Sequence, residues 1–121
     1  MNEITYTSQI LLRNGNLQDN FASGSIAATQ SSAYLVRNVQ NISTAAGGDA
    51  LILGDVATPG FAVFQNLGTN FVEIGSNVTA TFYPFLKLKP GEVQVGRIGI
   101  AAPYARADTL AVDLFYIIYN D

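Results

Sequence analysis

The side chains that most often carry out chemistry in proteins are largely missing from this 121-residue sequence. It contains no cysteine and no histidine, which excludes disulfides, thiol nucleophiles, the Ser-His-Asp triad and the usual zinc ligands. Among the carboxylates, Asp108 and Asp113 could form a pair, but acid/base work on glycosides needs two carboxyl groups facing each other across about 5–10 Å. If residues 110–119 form a strand, Asp113 lies on it and Asp108 lies in the preceding loop. We therefore predict no catalytic residue; an enzyme would instead bring Asp108, Asp113 or Glu73 together with another carboxylate.

A second candidate site is a group of short polar side chains near the start of the sequence: Asn14, Asn16, Asp19 and Asn20. Calcium loops use such oxygen donors, but they also contain further carboxylates, including a bidentate Glu. A tight turn selects the same residue types, and Gly15 lies between the two asparagines. The sequence therefore favours a turn here, and we predict no metal and no cofactor.

Charge and hydropathy argue against nucleic-acid binding and for an assembly. Six Lys and Arg residues against nine Asp and Glu residues give a net charge of −3, whereas a protein that holds phosphates needs a basic face. Charged residues make up 12% of the chain, about half the usual share, so part of the surface is expected to be covered by other copies or by a partner. No apolar run approaches the roughly 18 residues that span a membrane. Residues 1–6 lack the features of a secretory signal, so we expect a soluble protein made in the cytoplasm.

Strand patterns run along the whole chain, and no stretch of 12 or more residues keeps a helical period. Turn signals separate about eight short strands, the second of them weak and interrupted at residues 23–25. Pro84 indicates an edge position or a bulge, and Lys89-Pro90-Gly91-Glu92 has the residues of a type II turn. The pattern predicts a single antiparallel β-sandwich domain over residues 1–121, of the jelly-roll type. The predicted strand segments are 3–13, 17–29, 33–44, 51–53, 61–64, 71–75, 78–88, 93–100 and 110–119.

The last predicted strand is apolar on both faces. One face carries residues 110, 112, 114, 116 and 118; the other carries Phe115, Ile117 and Tyr119 together with Ala111 and Asp113. A sandwich strand with one solvated face should be polar on that face. We therefore predict that Phe115, Ile117 and Tyr119 lie under a loop or in contact with another copy of the chain.

Several segments, taken in their order along the chain, resemble small accessory virion proteins of tailed bacteriophages. They cover about half of the sequence, and the first third, residues 1–49, matches no family that we can name. The segments that carry the resemblance are Gly60–Leu67, Thr69–Gly75, Phe82–Glu92, Pro103–Ala107 and Leu114–Asp121.

This resemblance implies a capsid decoration (cement) protein: a non-enzymatic virion structural protein, commonly a homotrimer, on the outside of the head, where it binds between major capsid protein subunits. A tail, baseplate or head-fibre component would look alike, and a carbohydrate-binding β-sandwich that uses Tyr83, Tyr104 and Tyr116 is the other alternative. The polar, glycine-containing segments 14–20 and 45–49 are candidates for contact with the shell.

Overall fold

The computed structural model describes residues 3–121, so residues 1 and 2 of the predicted domain lie outside the described residues. By its internal contacts the chain divides into two compact units, one ending at Ser31 and one running from Ser32 to Asp121. Each unit is all-β and antiparallel, and residues 3–121 contain no helix, which confirms the predicted fold class. The strands are β1 (Ile4–Asn14), β2 (Leu17–Ala28), β3 (Leu35–Ile42), β4 (Asp49–Ala50), β5 (Pro59–Asn66), β6 (Val72–Val78), β7 (Thr81–Leu88), β8 (Val93–Arg97), β9 (Tyr104–Ala107) and β10 (Val112–Asn120).

The first unit is a β-hairpin made of β1 and β2. Its turn is the predicted one: Asn14 pairs with Leu17, and Gly15 has φ +58°. Residues with little steric penalty at positive φ suit such a two-residue connection. Further along the hairpin, the pairing shifts between Thr7 and Gln9, where β2 contains one extra residue. This segment was predicted to belong to one sandwich with the rest of the chain, whereas here it forms a two-stranded sheet of its own.

The second unit is a sandwich of two four-stranded sheets, with strand orders β3-β10-β5-β8 and β4-β9-β6-β7. The pairing is nested: β3 pairs with β10, β4 with β9, β5 with β8, and β6 with β7. Both sheets contribute to one hydrophobic core between them. Its members include Ile42, Phe64 and Leu114 from the first sheet, and Val72 and Ile74 from the second.

Local turn chemistry is found where the sequence predicts it. Gly91 has φ +82° and the Glu92 N–H donates to the Lys89 carbonyl at 3.0 Å, as expected for a type II turn with glycine at its third position. Pro84 lies on β7, an edge strand, next to the register shift in the β6–β7 pairing. At the edge of a sheet and at a bulge, proline does not remove a hydrogen bond between strands as it would in a central strand.

Two predictions about strands are wrong. Residues 51–53 form no strand: the Ile52 N–H donates to Gln40 Oε1 at 3.0 Å and its carbonyl accepts from the Tyr116 hydroxyl at 2.7 Å, so side chains replace a neighbouring strand as partners. Burial raises the pKa of the Tyr116 phenol above its ordinary value of 10.0. The sequence analysis also missed β9, whose residues Ala105 and Ala107 are buried although alanine has low strand propensity.

A buried amide joins the end of β5 to the neighbouring loops. Asn66 is fully buried, and its side-chain Nδ2 donates to the carbonyls of Asn70 at 2.8 Å and Leu88 at 2.9 Å. Its Oδ1 accepts from the Gly68 N–H at 2.8 Å. A buried polar group is tolerated when it is hydrogen-bonded in this way. Asn66 thus fixes the loop after β5 and the end of β7 to each other.

Candidate functional site

Strand β10 runs through the middle of its sheet, between β3 and β5. Its side chains alternate as the sequence predicts: Val112, Leu114, Tyr116 and Ile118 are at most 1% exposed and belong to the core. Because successive side chains of a strand point to opposite faces, the residues between them lie on the outer face of the sheet. Those residues are Asp113, Phe115, Ile117 and Tyr119.

The neighbouring strands extend this outer face with more apolar side chains. Phe115 lies opposite Val39 on β3, and Tyr119 lies opposite Leu35. On the other side, Ile117 lies opposite Val63 of β5. Val63 and Gln65 in turn lie opposite Val95 and Val93 of the edge strand β8. We refer to the following eight residues as the apolar face: Leu35, Val39, Val63, Val93, Val95, Phe115, Ile117 and Tyr119.

The three residues predicted for self-association are the less exposed part of this face. Phe115 and Tyr119 are half-buried and Ile117 is only 9% exposed, whereas Leu35 and Val39 are each 51% exposed. The exposure lies at the margins because β10 has a neighbour on each side, while β3 and β8 are edge strands. The residues that edge strands β3 and β8 add to this face were not predicted, although the alternation of Leu35, Arg37 and Val39 in β3 was a signal for them.

Charged groups of this sheet lie at the ends of the apolar face and, in the case of Arg37, between Leu35 and Val39 on its edge strand β3. The Arg37 guanidinium lies over the Phe115 ring, 5.3 Å from its centroid. On edge strand β8, Arg97 forms an ion pair with Asp121 at 2.9 Å. At the start of β10, Asp113 accepts a hydrogen bond from Asn41 Nδ2 at 3.0 Å. An apolar centre with a polar rim is the anatomy of protein–protein interfaces.

The outer face of the second sheet is different in character. Glu73 on β6 forms an ion pair with Arg106 of β9 at 2.9 Å, and the Arg106 guanidinium lies 4.7 Å from the centroid of the Phe82 ring. The Lys87 ammonium lies 3.9 Å from the centroid of the Phe71 ring. These aromatic rings are therefore in contact with cations, and this face suits contact with water. The outer face of the second sheet thus carries paired charges at its centre, whereas that of the first sheet is mostly apolar, with Arg37 and Gln65 among its apolar side chains.

One polar cavity, of about 250 Å³, brings together carboxylates that the sequence analysis could not place. Glu73 and Asp108 both line it, together with Thr44 and Arg106. Glu73 is held in its ion pair with Arg106, while Asp113 lies on the apolar side of the sandwich. Within residues 3–121 the structure has no group of three or more Asp or Glu side chains placed to hold a metal ion.

The other predicted candidates are dispersed. Residues 14–20 are not one loop, since only residues 15 and 16 form a turn and residues 17–20 belong to β2. Asp19 and Asn20 lie opposite Leu12 and Leu11 of β1, so the two side chains are on opposite faces of the hairpin; this bears out the turn interpretation. Residues 45–48 form a loop as expected, and Asp49 begins β4. Of the three tyrosines proposed as a sugar platform, Tyr116 is fully buried and does not belong to any exposed surface.

Comparison with protein-family models, curated proteins and solved structures finds no match to this chain. Within the described part of the chain, no helix is long and apolar enough to cross a membrane. The function of this protein must therefore be inferred from its own surfaces, above all from the apolar face.

Proposed function

We propose that this protein is a structural component of a tailed-phage virion, a capsid decoration protein that self-associates through the apolar face and has no enzymatic activity. Two observations support the assignment: the ordered resemblance of its segments to accessory virion proteins, and the nested strand pairing of the sandwich, which suits the jelly roll expected of viral capsid domains. The trimer and the position on the outside of the head belong to the same proposal.

The observation that carries the proposal is the difference between the two outer faces of the sandwich. Monomeric soluble proteins rarely expose a large contiguous apolar patch, and such a patch usually marks a surface that contacts another molecule. Four strands about 4.8 Å apart and on average seven or eight residues long cover roughly 500 Å². A typical interface takes about 800 Å² from each partner, so the apolar face supplies more than half of that area.

Decoration of a capsid would follow from multivalency. An oligomer that touches several capsid subunits at once converts later contacts into intramolecular ones, and it dissociates slowly even when each contact is weak. The apolar face would join the copies, which leaves the loops, including residues 45–48, for contact with the shell.

Two measurements test this proposal. Sedimentation of the purified protein at micromolar concentration should give a mass that is a multiple of 12.9 kDa, three-fold for a trimer, and the protein should co-sediment with empty capsids of its phage. A monomer at these concentrations contradicts self-association. An oligomer that labels tails but not heads in immunogold microscopy would favour the tail or baseplate alternative.

A carbohydrate-binding or hydrolytic role is the second candidate, and the polar cavity with Glu73 and Asp108 favours it. Carboxylates and an arginine in a cavity of about 250 Å³ could hydrogen-bond a sugar hydroxyl. A glycan array should then give a signal that Asp108→Asn and Arg106→Ala abolish. An array without signal, and no release of sugar from bacterial surface polysaccharide, would exclude this candidate.

A further inference from the structure

The hairpin of β1 and β2 has one apolar face. Cross-strand pairing places Ile10 opposite Phe21, Tyr6 opposite Ile26, and Leu12 opposite Asp19. The other face carries Leu11 and two alanines among Thr, Ser, Gln and Asn side chains and Arg13. We refer to the following residues as the hairpin face: Ile4, Tyr6, Ile10, Leu12, Leu17, Phe21 and Ile26.

A bulge keeps this face apolar. Phe21 and Ile26 are five residues apart, a spacing that would put them on opposite faces of a regular strand. The extra residue of β2 at Ser23 and Gly24 brings them back to the same face, and there the Ser8 N–H donates to Ser23 Oγ at 2.9 Å and Gly24 has φ +69°. Bulges of this kind are features of a fold rather than defects. The sequence is therefore arranged to collect apolar side chains on one side of the hairpin.

Five of these seven side chains are exposed in the single chain, while Ile4 and Tyr6 are half-buried. Ile10 is 63% exposed, Leu17 60% and Phe21 52%. A two-stranded hairpin on its own is at best marginally stable in water, and β1 and β2 have 11 and 12 residues, about twice the usual strand length. Such a hairpin needs a covering layer on its apolar side.

We propose that the hairpin face packs against the same face of a second copy of this chain, in an antiparallel pair. The hairpin is about 37 Å long and 10 Å wide, so it offers roughly 370 Å². This is less than the roughly 800 Å² that a standard interface takes from one partner, so a single such contact is weak and gains strength where the proposed self-association supplies several hairpins to one assembly. The inference rests on that self-association and adds a two-fold contact to it, which in a trimer joins chains of neighbouring trimers because three copies cannot all be paired two by two.

Charge favours the antiparallel arrangement. Among the described residues of the hairpin, the one charged side chain on its apolar side is Asp19, near the turn. An antiparallel pair keeps the two Asp19 carboxylates roughly 20 Å apart, beyond the screening length of about 8 Å at physiological ionic strength. A parallel pair would place the two carboxylates side by side. The same antiparallel order brings the two Ile10 side chains near the centre of the contact.

The absence of cysteine from the sequence permits a clean cross-linking test with single-cysteine variants of the full chain. Packed sheets lie about 10 Å apart, too far for most direct disulfides, so a short bis-maleimide is the suitable reagent. Ile10→Cys should give a band at twice the 12.9 kDa of one chain. Gln9→Cys, on the opposite face one residue away, should give several-fold less, and so should Asp19→Cys, which lies on the same face but level with Leu12, nearer the turn.

The outcomes separate this inference from the proposed function. Equal bands from Ile10→Cys and Gln9→Cys, or no band from Ile10→Cys, overturn the hairpin contact, and a dominant Asp19→Cys band overturns the antiparallel order. The hairpin contact is also overturned if a band forms only between Ile10→Cys chains and Val39→Cys chains, because the hairpin face then packs against the apolar face of another copy. An Ile10→Cys band in a protein that fails to bind capsids supports the hairpin contact while the capsid role fails.

Discussion

The exposed margin of the apolar face offers the sharpest test of self-association. We consider the double variant Leu35→Ser and Val39→Ser on edge strand β3, where each side chain is 51% exposed in the single chain. Fully burying a leucine or valine contributes about 1.5–3 kcal/mol, so the half that remains exposed is worth about 0.8–1.5 kcal/mol per side chain. Two side chains from each of two chains give about 3–6 kcal/mol per contact, and the variant should associate roughly 10²- to 10⁴-fold more weakly.

The assay is sedimentation equilibrium over a concentration series, and the chain provides a matched control. Ile52 and Val78 are 58% and 57% exposed but lie in the loop after β4 and at the end of β6, outside the apolar face. Ile52→Ser with Val78→Ser removes comparable apolar surface and should leave the association constant at the wild-type value. If the Leu35 and Val39 variant associates as strongly as the wild type, or if both double variants weaken association equally, the apolar face is not the contact.

Three further predictions concern the stability of the sandwich. Asn66→Ala removes three hydrogen bonds of a buried amide and should lower the free energy of unfolding by about 3–5 kcal/mol in urea titrations. As a control, Asn70→Ala removes exposed hydrogen bonds and should cost about 1 kcal/mol. If Asn66→Ala costs no more than that, Asn66 does not hold the loop after β5 and the end of β7 together. Burial raises the pKa of Tyr116, so the folded state retains the phenol proton better than the unfolded state: stability should be unaffected by this group below pH 10 and fall as pH rises above it. The Tyr116→Phe variant lacks the hydrogen bond to the Ile52 carbonyl and should therefore be less stable than the wild type at pH 7. In thermal melts above pH 10, the difference in stability between wild type and variant should become smaller. A difference that stays constant with pH would contradict the raised pKa. Gly91→Ala should lose about 1 kcal/mol because φ is +82°, whereas Gly96→Ala, where the added Cβ meets open space, should not; equal effects would show that backbone conformation is not the cause.

Features that depend on a few adjacent residues could be predicted from the sequence. The turns at Gly15 and Gly91 require positive φ, and glycine is the residue type that adopts it most readily, so both turns could be predicted from the residue types alone. The alternation of β10 likewise separates core from outer face without any knowledge of its neighbours. Patterns of this kind were sufficient to predict an antiparallel β-sandwich.

Features that depend on pairing between distant strands could not be predicted. The cavity that holds Glu73 and Asp108 exists because β6 pairs with β9, and β9 itself is too short and too rich in alanine to be recognised. In the same way, Leu35 joins the apolar face only because β3 is the neighbour of β10. The five-residue spacing of Phe21 and Ile26 looked like an interrupted strand, since the bulge that aligns them appears only in the register with β1.

The position of β10 also governs when the sandwich can form during synthesis. It lies between β3 and β5, so its two partners, made some 50 to 75 residues earlier, have no central strand until residues 112–120 have left the ribosome. Until then β3 and β5 present open edges, which invite pairing with other chains, and folding that waits for such distant contacts is slow. A chain truncated before β10 would therefore leave the edges of β3 and β5 open and should be prone to aggregate.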